Sequence, residues 1–287
     1  MLKSVVWWTT MACNFKCKYC WEVQAQERGE FKPIPLKPAS EWLAVWNRLK
    51  PALLDISGGE PFLMPDLVDL IVGLNPEIRV GLTSNLSHPL LEFARHVSPE
   101  RVVSIAASFH PTENGTRQCP MNPEIFVGRC MFLQSRGFRI TVNCVAWPEQ
   151  LYLIPAWAEM FRSHGLRFHV DPYSPMAYYP YEYSEAERKL LEPWIVPNRQ
   201  VGLTVIQPVE PVAVDCSGGI DHLSVQPDGS AWRCILERQL GINPLGNVFD
   251  PEFRLLDEPR MCRESWRCPA CDRDKVTTTR LAMATGS

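Results

Sequence analysis

Short β-like runs alternate with helix-like segments from residue 4 to about residue 171, and this order strongly constrains the fold. The candidate strands are "SVVWWTT" (4–10), "ALLDIS" (52–57), "IRVGLTS" (78–84), "RVVSIAAS" (101–108), "FRITVNCV" (138–145) and "LRFHVD" (166–171). The helix-like segments lie near 38–49, 65–73, 88–97, 122–136 and 152–164. This alternation predicts a parallel sheet with helical crossovers. Six strands are too few for a closed eight-stranded barrel, so we predict an α/β fold built as an open, partial (β/α)6 TIM-type barrel.

The pattern changes beyond residue 170. The segment "DPYSPMAYYPYEYSEAE" (171–187) is rich in proline and tyrosine and is typical of an irregular connection. A short helix is predicted near 184–193, and "HLSVQPDGSAWRCIL" (222–236) reads as a hairpin around Pro-Asp-Gly. We therefore expect a barrel domain over residues 1–195 and a small, separate C-terminal α+β extension over residues 196–287.

Composition and charge exclude several classes of protein. The 287 residues are 46% hydrophobic, which allows a sizeable core. The net charge of −3 and the lack of a basic stripe disfavour a nucleic-acid partner. No apolar run approaches the roughly 18 residues of a membrane span, and no signal-peptide core precedes the first cysteines. We expect a soluble cytoplasmic protein without a membrane partner.

The chain has eleven cysteines, and most of them lie near its two ends. An odd count without a signal peptide indicates reduced thiols and metal binding rather than disulfides.

The first cluster, "CNFKCKYC" (13–20), follows the first predicted strand directly. It therefore lies at the carboxyl ends of the strands, which is the catalytic face of a β/α barrel. Thiolates from Cys13, Cys17 and Cys20 match three corners of a 4Fe–4S cube and leave the fourth iron open. Zinc is the alternative, but it needs a fourth ligand, and no histidine occurs before His88.

A second motif, "ISGGEPF" (56–62), ends the second predicted strand and so lies on the same face. Its two glycines allow close backbone approach to a ligand, and Glu60 offers a carboxylate to a cationic group. A glycine turn between strand and helix would explain the motif if it stood alone.

Together, CxxxCxxC after the first strand and GGEP after the second resemble the radical S-adenosylmethionine (radical SAM) superfamily over residues 4–171. The resemblance implies that SAM chelates the open iron, with Tyr19 near its adenine and with Gly58, Gly59 and Glu60 holding its methionyl ammonium. It also implies reductive cleavage of SAM to a 5′-deoxyadenosyl radical that takes a hydrogen atom from the substrate. An external electron donor such as flavodoxin or ferredoxin is then required.

Other positions of the superfamily map onto strand ends. Ser108 matches a serine that contacts the SAM ribose, whereas His110 replaces an acidic residue and is a candidate substrate-binding or proton-handling group. Asn143 matches an asparagine that contacts SAM, and Leu86 stands where the family has glycine. An ordinary strand-end hydrogen bond remains an equal alternative for each polar residue.

The second cluster would on its own favour a zinc site with four thiolates. Attached to a radical SAM barrel, however, Cx12Gx4C followed by CxxC resembles the twitch domain, a short form of the SPASM extension. A full SPASM domain has about seven cysteines, but only five occur here. The resemblance implies one auxiliary 4Fe–4S cluster bound by Cys216, Cys234, Cys268 and Cys271. The stretch "NPLGNVFDP" (243–251) is read as a turn into a short helix.

Cys262 is left over, and three roles stay open. It is an inert buried thiol, a replacement for one of the four ligands, or a hydrogen-atom donor to a substrate radical. Cys119, Cys130 and Cys144 compete for the donor role, and Cys130 is expected to be a core residue because it lies mid-helix.

Two reactions suit a small sugar-like or aminoglycoside-like substrate. We favour epimerisation with Cys262 as the hydrogen donor. The alternative is a dehydrogenase that uses a base, for which Asp171 on the rim of the barrel is a candidate, and the auxiliary cluster as electron acceptor. A ribosomal-peptide maturase is the competing class. It more often carries an N-terminal winged helix, which we expect to be absent because the first strand begins near residue 4.

Overall fold

The computed structural model describes residues 2–29, 34–88, 90–111, 121–174, 181–195 and 214–262, and the backbone of Thr278–Arg280. The strands are β1 (Ser4–Trp8), β2 (Leu53–Ser57), β3 (Arg79–Ser84), β4 (Val102–Ser108), β5 (Ile140–Ala146), β6 (Arg167–Pro172), β7 (Val214–Cys216), β8 (His222–Val225), β9 (Ser230–Trp232), β10 (Gly246–Asn247), β11 (Arg260–Cys262) and β12 (Thr278–Arg280). The α-helices are α1 (Trp21–Glu27), α2 (Ala39–Leu49), α3 (Leu67–Gly73), α4 (Leu91–His96), α5 (Pro123–Ser135), α6 (Ile154–Ser163), α7 (Glu185–Leu191) and α8 (Ile235–Leu240).

The predicted parallel sheet is confirmed. Strands β1 to β6 lie in chain order in one sheet, and each neighbouring pair is parallel. Helices α2 to α6 connect them, as expected for a partial TIM-type barrel. The carboxyl ends of all six strands therefore meet at one edge, where both sequence motifs lie.

The C-terminal hairpin is confirmed, but it is not separate from the barrel sheet. Strand β8 pairs in parallel with β1, and β9 and β10 extend the sheet in antiparallel fashion. A second sheet has the order β11-β7-β12. The expected short helix at 243–251 is replaced by the two residues of β10 and by turns. The predicted domain boundary lies between residues 195 and 196. Residues 196–213 lie outside the described ranges, so the boundary stays a prediction.

Strand β1 is buried on both faces, and each face carries one tryptophan, Trp7 or Trp8. Trp7 packs against Trp42 and Trp46 of α2, with ring centroids 4.8 and 5.3 Å away. Because successive side chains of a strand point to opposite faces, Trp8 lies on the concave face, together with Val6. The helical layer thus covers one face of β1, while the other face lines the interior of the barrel.

Within the described ranges, no helix has the length and the apolar character needed to cross a membrane.

The tryptophan cluster between β1 and α2 predicts a large loss of stability on truncation. Trp42 is fully buried, so Trp42→Ala removes a large packed side chain and should lower the free energy of unfolding by about 3–5 kcal/mol. Val72→Ala in α3, where the side chain is half exposed, is the control and should cost less than about 0.5 kcal/mol. Chemical denaturation measures both changes, and equal changes in the two variants would contradict the packing described.

Candidate active site

The three N-terminal cysteines lie on one tight loop between β1 and α1. Cys20 is the residue that caps α1, and its backbone N–H donates to the carbonyl of Cys17 over 2.9 Å. Cys17 is buried, whereas Cys13 and Cys20 are partly exposed. The sequence predicted the loop but not α1, which begins immediately after it.

The GGEP segment packs directly against this loop. The backbone N–H of Gly59 donates to the carbonyl of Thr10 over 2.7 Å, and that of Glu60 donates to the carbonyl of Ala12 over 2.9 Å. A Cβ atom on Gly59 would lie 2.0 Å from the carbonyl oxygen of Ala12. Gly58 also has φ +137°, a conformation that L side chains rarely adopt. The glycines therefore let the two motifs form one structure, which the sequence motif alone did not indicate.

Glu60 is fully buried and binds the end of β3. Its carboxylate accepts hydrogen bonds from the hydroxyl of Ser84 (2.8 Å) and from the backbone N–H of Asn85 (2.9 Å). Burial raises the pKa of this carboxyl, and these hydrogen bonds oppose the rise. Because both oxygens are engaged within the chain, the carboxylate has a structural role here. Its predicted contact with a methionyl ammonium stays a prediction.

The chemistry of this loop fits an iron–sulfur cluster. The pKa of Cys13 is raised to about 11, mainly by burial and in part by the charges of Glu60, Cys17 and Cys20, while the hydrogen bond from the Phe15 backbone N–H opposes the rise. Ionised together, these groups need a cationic centre for compensation. The sulfur of Cys13 already accepts hydrogen bonds from the Phe15 backbone N–H (3.4 Å) and the Asn85 amide (3.8 Å), as cluster sulfurs do.

Within the described ranges, no three His, Cys, Asp or Glu side chains converge on a site for a single metal ion. Thiolates that bind separate irons of a cube stand further apart than ligands of one zinc ion.

Tyr19 belongs to an aromatic group above the ends of β4 and β5. Its hydroxyl lies 2.8 Å from Nδ1 of His110, a hydrogen bond whose direction depends on the imidazole tautomer. The ring centroids of His110 and Trp147 each lie 5.8 Å from that of Tyr19, and Tyr173 packs on Trp147 at 4.8 Å. The structure thus brings Tyr19 and His110 together and adds Trp147, which the sequence reading missed.

A row of polar side chains crosses the ends of β4, β5 and β6. Ser108 Oγ donates to Asn143 Oδ1 over 3.4 Å, and Asn143 Nδ2 donates to Asp171 Oδ2 over 3.3 Å. His169 Nε2 lies 3.9 Å from the same carboxylate oxygen. The row is partly exposed, so a ligand can reach it. The sequence named the first three residues, whereas His169 was missed although it lies two residues before Asp171 on the same strand face.

A second charged pair, also missed, lies on the opposite side of the barrel. The Arg238 guanidinium of α8 stacks on Trp8 at 3.7 Å and lies 5.1 Å from the Trp21 ring. Glu22 is 4% exposed, and neither of its carboxylate oxygens accepts a hydrogen bond in the described part of the chain. Burial raises the pKa of Glu22 to about 7, and the charge of Arg238 limits the rise.

The second cysteine cluster is described in part. Cys234 caps α8, and its sulfur accepts from the Glu237 N–H over 3.5 Å, while the Cys216 sulfur accepts from the Gly218 N–H over 3.4 Å. These N–H···S contacts suit cluster ligands. Cys268 and Cys271 lie outside the described residues, as does Cys119.

Strand β11 brings Cys262 next to the strand that carries Cys216. Arg260 pairs with Cys216 and Cys262 with Val214, so both thiols lie on one face of the ladder. The buried guanidinium of Arg233 has a raised pKa. Its hydrogen bonds to Glu237 have the largest effect, and the charges of Cys216 and Cys262 add a smaller rise, so the guanidinium lies near both thiols. Cys262 is partly exposed, which is compatible with either a donor or a ligand role.

Two competing thiols are unsuited to the donor role. Cys130 is fully buried in α5, as expected, and Cys144 is 1% exposed in the same core cluster. Burial raises the pKa of both thiols, that of Cys130 to about 12. Neither side chain faces the interior of the barrel.

Known proteins share this architecture. SuiB from Streptococcus suis, solved with bound S-adenosylmethionine, aligns with a TM-score of 0.65 at 15% identity and covers 88% of this chain and 64% of SuiB. The protein anSMEcpe, solved with bound AdoMet, aligns with a TM-score of 0.61 at 16% identity, covering 87% of this chain and 79% of that protein. At such identities the likeness concerns the fold.

A curated GTP 3′,8-cyclase from Shewanella denitrificans is 33% identical over 89 residues, or 30% of this chain and 26% of the cyclase. This chain therefore matches about a quarter of that relative. No protein-family model matches the chain. Fold and motifs together confirm the recognition from the sequence, a partial barrel of the radical SAM superfamily.

The contact between the two motifs predicts that Gly59→Ala displaces the cysteine loop. The new Cβ would collide with backbone atoms of Met11 and Ala12, which cannot move aside as a flexible side chain can. The free energy of unfolding should therefore fall by about 1–3 kcal/mol. Alkylation by iodoacetamide, followed by mass spectrometry, should also become faster at Cys17, which is buried in the native loop.

Gly128→Ala in α5 is the matched control, because nothing lies within 4 Å of its added Cβ. This change should leave alkylation unaltered and increase stability by about 1 kcal/mol or less. Protection of Cys17 and unchanged stability in Gly59→Ala would contradict the close approach.

Proposed function

We propose that this protein is a radical SAM enzyme that abstracts a hydrogen atom from a carbon of a small, sugar-like substrate. The observation that carries this proposal is the joint structure of the cysteine loop and the GGEP segment, held together by backbone hydrogen bonds at the ends of β1 and β2. The cluster and SAM, when bound, supply a 5′-deoxyadenosyl radical. The fold shared with two proteins that were solved with bound SAM supports SAM as a cofactor here.

The chain's own residues divide the work of binding. Cys13, Cys17 and Cys20 hold the cluster, and the backbone of Gly58 and Gly59 keeps their loop in place. Tyr19, packed on His110, forms one wall for an adenine ring, since aromatic faces stack well on bases. Ser108 and Asn143 offer hydroxyl and amide groups to a ribose.

We further propose epimerisation, with Cys262 as hydrogen donor. The substrate C–H bond breaks by hydrogen-atom transfer, and a new C–H bond forms when Cys262 gives up its thiol hydrogen from the opposite face. One electron and one proton then restore the thiol, with flavodoxin or ferredoxin as the source of the electron. The partial exposure of Cys262 supports this role, because a donor thiol must reach the substrate. Cys130 and Cys144 are buried in the core.

Oxidation of a secondary alcohol is the alternative reaction at the same site. It needs a base, and Asp171 lies near enough to His169 for the pair to take up a hydroxyl proton together. The second electron would pass to an auxiliary cluster held by Cys216, Cys234, Cys268 and Cys271.

Peptide modification is a second candidate function. SuiB has been solved with its precursor peptide SuiA, and anSMEcpe with the Kp18Cys and Cp18Cys peptides. The shared barrel is compatible with a peptide in its mouth, so peptides belong in any substrate screen.

Anaerobic reconstitution tests the cofactor assignment. Wild-type protein should bind iron and sulfide, show the broad absorption of a 4Fe–4S cluster near 400 nm, and release 5′-deoxyadenosine from SAM under dithionite. A Cys13→Ala, Cys17→Ala, Cys20→Ala protein should lose about four irons per chain and all 5′-deoxyadenosine release. The triple variant keeps Cys216, Cys234, Cys268 and Cys271, so any iron that it still binds would be assigned to the auxiliary cluster. Zinc in place of iron, or iron without SAM cleavage, would overturn the proposal.

Solvent deuterium separates the two reactions. In D₂O, epimerisation should place one deuterium at the inverted carbon, because the Cys262 thiol exchanges with solvent. Cys262→Ala should still cleave SAM and keep its iron but lose at least about 100-fold in product formation. Cys130→Ala is the control and should keep turnover. A product two mass units lighter without deuterium would establish the dehydrogenase, and loss of iron from Cys262→Ala would make Cys262 a ligand.

A further inference from the structure

Arg233 is a buried arginine to which the proposed reactions assign no role. It lies between β9 and Cys234, the residue that caps α8, and only 6% of it is exposed. Its Nε lies 3.0 and 2.9 Å from the two carboxylate oxygens of Glu237, and its Nη2 donates to the same carboxylate. Because a buried ion pair adds little net stability compared with an apolar pair, stability alone is a weak explanation for it.

The other side of the guanidinium contacts the strand that carries Cys262. Its Nη1 donates to the backbone carbonyl of Arg260 over 3.1 Å. Arg260 is paired with Cys216 across the ladder of β11 and β7, and Cys262 follows two residues later on β11. The guanidinium therefore lies between the Glu237 carboxylate and the ladder that carries both thiols.

Two glycines bring the aliphatic part of the Arg233 side chain close to Cys216. A Cβ atom on Gly218 would lie 3.3 Å from Cβ of Arg233 and 3.4 Å from the sulfur of Cys216, and one on Gly219 would lie 3.1 Å from Cγ of Arg233. The backbone N–H of Gly218 also donates to this sulfur over 3.4 Å. Arg233 thus packs against the turn that holds a predicted cluster ligand.

Cys234 belongs to the same buried network. Its sulfur accepts from the backbone N–H of Glu237 over 3.5 Å, and the Glu237 carboxylate also accepts from the side-chain amide of Asn243 over 3.3 Å. These contacts hold Arg233 in place beside the thiols. Since the network is buried, little water screens the charge of the guanidinium.

We propose that the Arg233 guanidinium raises the reduction potential of the auxiliary cluster, and that Glu237 holds it in position. One electron added to a cluster with four thiolate ligands makes an anion more negative, so a fixed cation nearby stabilises the reduced form more than the oxidised form. This inference rests on the proposed function, which supplies the cluster, and it adds the residue that tunes it. A cluster that is reduced more easily suits an electron acceptor, the role that alcohol oxidation assigns to it.

Redox titration with dithionite, followed by electron paramagnetic resonance, tests the inference in the full-length chain. The background is the Cys13→Ala, Cys17→Ala, Cys20→Ala protein after anaerobic reconstitution, so that the signal comes from the auxiliary cluster alone. Arg233→Gln should make reduction at least about tenfold less favourable, which lowers the midpoint potential by about 59 mV or more for one electron. Arg233→Lys keeps the charge and should recover at least about half of this shift.

Arg233→Gln also leaves the Glu237 carboxylate buried without its cationic partner, which can unfold the region. The double variant Arg233→Gln, Glu237→Gln avoids this problem. It should still make reduction about threefold less favourable or more, because the guanidinium lies nearer than the carboxylate to the ladder of β11 and β7. Arg254→Gln is the matched control. Arg254 is exposed and lies 3.5 Å from Glu252, so its loss should leave the potential unchanged.

Three outcomes would overturn the inference. The first is an unchanged midpoint potential in both Arg233→Gln and the double variant. The second is an Arg233→Lys potential as low as that of Arg233→Gln. The third is loss of iron from both Arg233→Gln and the double variant, which would give the ion pair a structural role alone.

The iron content of the background protein and 5′-deoxyadenosine release by wild type report on the proposed function separately. A background protein without iron would remove the auxiliary cluster and the inference with it, while SAM cleavage by wild type would still sustain the radical SAM class. A potential that falls in Arg233→Gln, together with no SAM cleavage by wild type, would sustain the inference and refute that class.

Discussion

Backbone contact between the cysteine loop and the GGEP segment is the constraint on which the site depends. Hydrogen bonds from Gly59 and Glu60 to the carbonyls of Thr10 and Ala12 continue the pairing of β1 and β2 beyond the ends of both strands. Only glycine fits there, because a Cβ would collide with the opposing backbone. This contact fixes the three thiols, and the loop in turn sets the start of α1, which carries Trp21 and Glu22 to the concave face.

The local part of the fold was predictable from the sequence, whereas the long-range part was not. Strand and helix periodicities are properties of short windows, so β1 to β6 and their helices were predicted correctly. Helix α1 was missed because it is short and its pattern is dominated by the cysteine motif. The pairing of β8 with β1 joins residues about two hundred positions apart, and no local pattern encodes it. For that reason the hairpin was expected to be separate.

The candidate site shows the same division. Ser108 and Asn143 were named from the resemblance to the radical SAM superfamily, and Asp171 from its place just past the sixth strand. The structure joins the three by hydrogen bonds. The hydrogen bonds from Ser84 and Asn85 to Glu60 could not be predicted from the GGEP motif, because the motif contains no residue of β3 or of the segment that follows it. The charge of Arg238 acts on Glu22 because α8 lies against Trp8 of β1, and this arrangement depends on the unpredicted sheet extension.

The parallel pairing of β1 and β8 also shapes how the chain folds as it is made. Ser4 and His222, which meet across this pair, are 218 residues apart. At about 5–20 residues per second, a ribosome needs roughly 10–40 s to synthesise that stretch. Strand β2 emerges early and covers one edge of β1, but the backbone N–H and C=O groups of the other edge stay unpaired with β8 for the rest of translation. An open apolar edge invites pairing with other chains, so chaperone binding to the nascent protein is expected to concentrate in this interval.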